Sequence, residues 1–211
     1  MLQLAISGIF IVVIVFVNEY ASRQKLISGE LARKIPHIAL SVVFAVMPFF
    51  IGLHRLALLA TVDIVIAIFV HRFNWFKFSR TIDRKTWGDF FFLFGTIIAA
   101  LLTRSRWVFA AAILTMGFAD AAAALIGKSY GKHHFKVFDN TKSLEGSLAF
   151  VIVAFCIATW VVFVTPAGLS SNWLIVILLP LATSVVEAVA PFGLDNMLVP
   201  IFVALVLNWR L

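Results

Sequence analysis

Residues 107–127 read WVFAAAILTMGFADAAAALIG, an apolar run in which Asp120 is the only charged residue. Its length matches the roughly 20 residues a helix needs to cross the hydrocarbon core of a bilayer. Runs of the same kind recur through the chain, at about 1–19, 35–53, 55–71, 88–103, 146–165, 173–190 and 196–211. The 211 residues are 63% hydrophobic and 13% charged, against roughly 25% charged in a typical soluble domain. Within lipid every backbone polar group has to be bonded internally, which restricts a spanning chain to helices or a closed barrel. The apolar residues run continuously instead of alternating, which excludes the barrel. The expected fold is an all-α, polytopic transmembrane helical bundle of seven to eight spans, the last one short. Residues 1–211 form one integral-membrane domain, because no repeat, low-complexity segment or linker divides them.

The basic residues set the expected orientation. The loop after the first span carries Arg23, Lys25, Arg33 and Lys34, and the loop after the third carries Arg72, Lys77, Arg80, Arg84 and Lys85. The loop after the fifth carries Lys128, Lys132, Lys136 and Lys142. The opposite side holds only Arg55, Arg104, Arg106 and Arg210. Excess Lys and Arg mark the cytosolic side, so the loops after the first, third, fifth and seventh spans face the cytosol and both termini face outward. The net charge of +7 thus follows from topology, and no soluble basic domain is present to carry nucleic-acid contacts. The N-terminus lacks a basic n-region and a small-residue cleavage site, as expected of a retained first span. Cys156 is the sole cysteine, which excludes an intramolecular disulfide and a cysteine-based metal site.

Polar clusters gather on the cytosolic side. Glu30-Leu-Ala-Arg33-Lys34-Ile-Pro36-His37 stands at the start of the second span. Pro36 suits the first turn of a helix, and Arg33, Lys34 and His37 suit a polyanion; the plain alternative is a positive-inside anchor. Asp83-Arg-Lys-Thr-Trp87-Gly-Asp89 reads as a solvated loop with an interfacial tryptophan. Asp120 lies about two turns from the cytosolic end of its span, a costly place for a carboxylate and therefore a functional candidate. It is followed by Gly127, Lys128, Gly131 and Lys132, then by Lys142-Ser143-Leu-Glu145-Gly146-Ser147. Glycines admit close backbone approach, and lysines and hydroxyls offer donors to phosphate. Carboxylates hold metal, so the set has the chemistry of a Mg²⁺–triphosphate site. Gly127-Lys128-Ser129 is not the end of a P-loop, because position 122 is alanine and a membrane helix precedes it. Glu187 lies in the seventh span with Thr183 and Ser184 one turn earlier. Asp195 and Asn196 precede the last span, as helix caps or as metal and substrate ligands. Asp63, in the third span, has no neighbour in sequence to pair with; His71 or Arg72 near the end of that span are the candidates.

At these residues the chain resembles the CTP-dependent lipid kinases, the family of dolichol, phytol and CTP-type diacylglycerol kinases. The resemblance rests on Asp120-x-x-Ala123-x-x-x-Gly127-x-x-x-Gly131 and on Lys142-Ser143-x-Glu145-Gly146-Ser147. Arg33-Lys34-x-x-His37 and Asp195-Asn196-x-x-Val199-Pro200 extend it over nearly the whole chain. Ala119 departs from the family, which usually has glycine there. A weaker similarity reaches phosphatidate cytidylyltransferase. The resemblance implies γ-phosphoryl transfer from CTP to a membrane lipid alcohol with a divalent metal such as Mg²⁺. It implies Asp120, Glu145 and Asp195 around the metal, with Glu145 alternatively the base. Lys142 and Lys128 would clamp the phosphates. Arg33, Lys34, His37, Gly127, Gly131, Lys132, Ser143, Gly146, Ser147 and Asn196 would contact the nucleotide. The competing expectations are a cytidylyltransferase, which attacks the α-phosphorus, and a proton-coupled transporter built on Asp63, Asp120 and Glu187.

Overall fold

The computed structural model describes residues 2–73, 87–137, 140–165 and 173–209. Lys77, Arg80, Asp83, Arg84, Lys85, Thr86 and Arg210 lie outside the described residues. The chain starts with α1 (Leu2–Arg23), from which Phe10, Phe16 and Val17 face outward. It turns back into α2 (Gly29–Val46), which begins earlier than the expected span. Pro36 therefore sits in the helix interior and not in the first turn, and its ring leaves the carbonyl of Ala32 without the usual donor. The early start adds two turns on the charged side, and they carry Arg33 and Lys34. A short helix α3 (Pro48–Ile51) ends at Gly52, whose φ of 80° makes the tight turn into α4 (Leu53–Phe73).

Next come α5 (Gly88–Leu102) and α6 (Arg106–Leu114), the latter capped by Ser105 Oγ accepting from the Val108 N–H. A single π-helical turn (Thr115–Ala119) joins α6 to α7 (Asp120–Tyr130). Then β1 (His134–Val137) and β2 (Asn140–Ser143) form an antiparallel hairpin pairing Phe135 with Lys142 and His134 with Ser143. This hairpin is an addition to the expected all-α fold. The chain ends with α8 (Leu144–Val164), α9 (Trp173–Val189) and α10 (Asp195–Asn208).

Among the described residues, the segments Gly29–Ile51, Arg106–Tyr130 and Leu144–Val164 are long and apolar enough to cross a membrane. Shorter apolar helices, α5, α9 and α10, stand beside them. Side chains such as Leu148, Ile152 and Phe163 on α8 and Leu174, Ile177 and Leu178 on α9 face outward. Contiguous outward-facing apolar surface on this scale is a surface for lipid, and the protein is a membrane protein.

The interior is built for close helix approach. Ala110, Ala111 and Ala112 of α6 and Ala154 and Ala158 of α8 are all buried, around the fully buried rings of Phe44, Phe109 and Phe150. In hydrocarbon the lipid tails are as apolar as the helices, so small residues and dense packing supply the cohesion. α5 packs against both α4 and α10, and α8 packs against both α7 and α9. That arrangement brings the first turns of α2, α7 and α10 and the last turn of α9 to one end of the bundle.

Candidate active site

Three carboxylates meet at that end. Asp120, Glu187 and Asp195 each offer an oxygen, and these oxygens lie within 4.8 Å of one another. Asp120 and Glu187 are buried. Like charges this close repel unless cations or protons intervene, and two lysines supply the cations. Lys34 Nζ donates to Asp120 Oδ2 from a position 86 residues away in sequence. Lys34 is itself 1% exposed. Lys142 Nζ donates to Glu187 Oε1 and, at 2.6 Å, to the Glu187 main-chain carbonyl. Asp195 makes no ion pair among the described residues; its Oδ1 accepts the Asn196 N–H at 3.0 Å. It opens α10, where the helix dipole favours a negative charge.

The local backbone explains how these side chains are aimed. The π-helical turn ends immediately before Asp120, and such turns are frequent at functional sites because they reset which face a following residue takes. Gly117 of that turn lies against Ser41 of α2, so closely that an added Cβ would sit 2.2 Å from Ser41 Oγ. The contact sets α2 beside Asp120. His37 Nε2 is 3.6 Å from Asp120 Oδ2, and its ring lies edge-on to Phe92 with centroids 5.2 Å apart. Lys142 comes from β2, where successive side chains alternate between faces. Lys142 thus turns to Glu187 while Ser143 turns to α7 and α8. Ser143 caps α8 by accepting the Gly146 N–H at 3.1 Å. Asn196 Nδ2 donates to the Gly88 carbonyl at 3.0 Å and ties the start of α10 to the start of α5.

The expected site residues therefore divide. Asp120, Asp195, Lys34, Lys142 and His37 come together. Asn196 is their neighbour on α10. Arg33, half-buried, pairs with Glu30. Gly127 and Gly146 face each other across the α7–α8 contact: a Cβ on Gly146 would lie 2.7 Å from the Ala123 carbonyl oxygen and 3.2 Å from Gly127 Cα. Gly131 closes on Ser143 in the same contact: a Cβ added to it would lie 2.9 Å from Ser143 Cβ and Oγ. Ser147 is half-buried one turn into α8, and Lys128 and Lys132 are exposed.

Glu145 differs from expectation. The acidic group contains Glu187 in the place assigned to Glu145. The hairpin returns the chain so that Glu145, in the first turn of α8, meets His133: Nδ1 lies 2.7 Å from Oε1, and the His133 N–H reaches both oxygens at 3.3 Å. The sequence signal for Glu187 was its position inside an apolar run, but its partners are far away in the chain. Asp63 Oδ2 is buried with no hydrogen-bond partner among the described residues.

A divalent cation suits this donor set. Three carboxylate oxygens converge, and Glu187 Oε2 is buried without a hydrogen-bond partner among the described residues. Hard oxygen ligands of this kind are those that Mg²⁺ takes, usually through one or two carboxylates and substrate phosphates.

Comparison with known proteins places the chain. It is 30% identical over 204 residues to CTP-dependent diacylglycerol kinase 1 of Schizosaccharomyces pombe, covering 84% of this chain and 92% of that one. The chain belongs to the CTP-dependent lipid kinase family. The kinase is also 27% identical over 215 residues to phytol kinase of Synechocystis sp., covering 97% of this chain and 90% of the relative. Dolichol kinase of Saccharomyces cerevisiae is 30% identical over 114 residues, 53% of this chain and 21% of that larger protein. No family model matches, and no solved structure matches.

Proposed function

We propose that this kinase transfers the γ-phosphoryl group of CTP to the hydroxyl of a membrane lipid alcohol. The alcohol is phytol, a polyprenol such as dolichol, or diacylglycerol, the acceptors named in its relatives. The bond between the γ-phosphorus and its bridging oxygen breaks, a bond from the lipid oxygen to phosphorus forms, CDP leaves, and the hydroxyl proton goes to solvent. The single observation that carries the proposal is the gathering of Asp120, Glu187 and Asp195 at one end of the bundle, with Lys34 paired to Asp120 and Lys142 to Glu187.

Phosphoryl transfer passes through a loose transition state, so the protein contributes chiefly positioning and charge. Asp120, Glu187 and Asp195 would hold Mg²⁺, which when bound would supply positive charge to neutralise the triphosphate. Lys34 and Lys142 balance the carboxylates in the free enzyme and turn to phosphate oxygens when the nucleotide binds. Arg33, Lys128 and Lys132 add positive charge around them, and His37 and Asn196 line the site. Glu145 braces the hairpin through His133, and the hairpin carries Lys142. The protein is a single domain of seven to eight spans with both termini outside. Its site faces the cytosol, where CTP arrives, and the lipid arrives sideways from the bilayer.

Membranes containing the overproduced protein test this with CTP labelled at the γ- or the α-phosphate, with Mg²⁺ present or chelated. Metal-dependent γ-label in an alcohol is the expected result, and Asp120→Asn abolishes it while the protein stays in the membrane. Label arriving from the α-phosphate instead would make the enzyme a cytidylyltransferase. Undiminished transfer by Asp120→Asn would remove the acidic group from the chemistry.

A further inference from the structure

A groove of about 550 Å³ opens between α4 and α5, lined by Ile68 and Arg72 of α4, by Trp87 just before α5, and by Phe90, Phe91 and Phe94 of α5. We infer that it holds one apolar chain of the acceptor lipid and so positions the hydroxyl at the acidic site; this presupposes the lipid-kinase activity proposed for the protein.

The groove is at the right end of the bundle. It follows the first two turns of α5, the same turns whose Gly88 carbonyl accepts from Asn196 beside Asp195. Gly193, in the turn before α10, packs so closely that an added Cβ would lie 3.1 Å from Gly88 Cα and 3.9 Å from the Phe91 ring. Phe91 is therefore shared between the groove and the turn that presents Asp195. The groove also has polarity. Arg72 and Trp87 stand at the end nearer the charged side, and the rings of Phe90, Phe91 and Phe94 continue toward the bilayer interior. Rings along the groove, with its mouth toward the charged side, match an occupant with a polar hydroxyl end and a hydrocarbon tail.

The dimensions decide what part of the tail is read. From Trp87 to Phe94 the helix rises about 10 Å, a third of a hydrocarbon core of about 30 Å. Only the part of the chain nearest the hydroxyl fits beside the rings, and the remainder stays among lipid tails. The tail is already in hydrocarbon before it binds, so the groove gains packing contacts and not release from water. Selectivity for bulk close to the hydroxyl is therefore expected, with tolerance of total chain length.

Two measurements test this. Phytol analogues carrying a diazirine either in the half of the chain next to the hydroxyl or at its far end are irradiated with the purified protein in liposomes, and the adducts are mapped by mass spectrometry. Adducts on α4 and α5 from the first probe only are expected; adducts of the first probe on other helices overturn the assignment. In parallel, Phe94→Trp, which fills an outward-facing position of the groove, raises the acceptor KM about three- to tenfold and leaves the CTP KM within about twofold. An unchanged acceptor KM, or equal changes in both, also overturns it. Groove adducts together with no phosphoryl transfer by the wild-type protein to any alcohol would uphold the groove and remove the kinase chemistry.

Discussion

Replacing Lys34 by methionine isolates the electrostatics of the site. Lys34 is 1% exposed and its ammonium contacts Asp120, which is 5% exposed. Methionine keeps much of the volume and removes the charge, which leaves a buried carboxylate facing two others. Breaking a buried pair by removing one partner costs about 3–5 kcal/mol. Each kcal/mol moves the melting temperature of a chain this size by about 2–4 °C, so a fall of about 6–20 °C is expected. The assay is thermal unfolding of the detergent-solubilised protein followed by size-exclusion chromatography. Added Mg²⁺ should restore the variant more than it stabilises the wild type, because the ion supplies the missing positive charge; saturation to a hundred times Kd is worth about 2.7 kcal/mol. A Lys34→Met protein that melts within about 2 °C of wild type would refute the buried pair. Equal Mg²⁺ effects on the two proteins would refute the link between Lys34 and the metal site.

Glu187→Gln should raise the Mg²⁺ concentration for half-maximal transfer about tenfold or more, whereas Glu145→Gln should leave it within about twofold; metal titrations of the two variants side by side check this, and the reverse order would restore Glu145 to the metal. Lys142→Met should raise the CTP KM and lower the melting temperature together, because the same ammonium pairs with Glu187 and, in the proposed mechanism, turns to the phosphates. Gly146→Val should lower stability by about 1–3 kcal/mol through overpacking, read as a lower melting temperature, since its Cβ would meet the Ala123 carbonyl at 2.7 Å.

Composition alone determined the helical membrane character. A chain this apolar, with runs near the bilayer thickness, satisfies its backbone in lipid as helices. The expected span edges differ from the observed helices by only a few residues for α5, α8 and α9. Motif residues also singled out Asp120, Lys142 and Asp195, because ionisable groups are scarce enough in such a sequence for each to stand out. The tertiary structure decided which of them meet. Glu187 and Glu145 were both carboxylates near the charged side, and nothing local distinguished the one that joins Asp120 and Asp195 from the one that meets His133. That choice depends on the hairpin, whose strand alternation sends Lys142 to Glu187 and leaves Glu145 with His133. Lys34 likewise finds Asp120 only because Gly117, in a π-helical turn, lets α2 come close. Contacts between residues 45 and 86 positions apart are set by how helices pack. In a membrane, packing depends on where small residues permit two backbones to approach, and a hydropathy pattern does not carry that information.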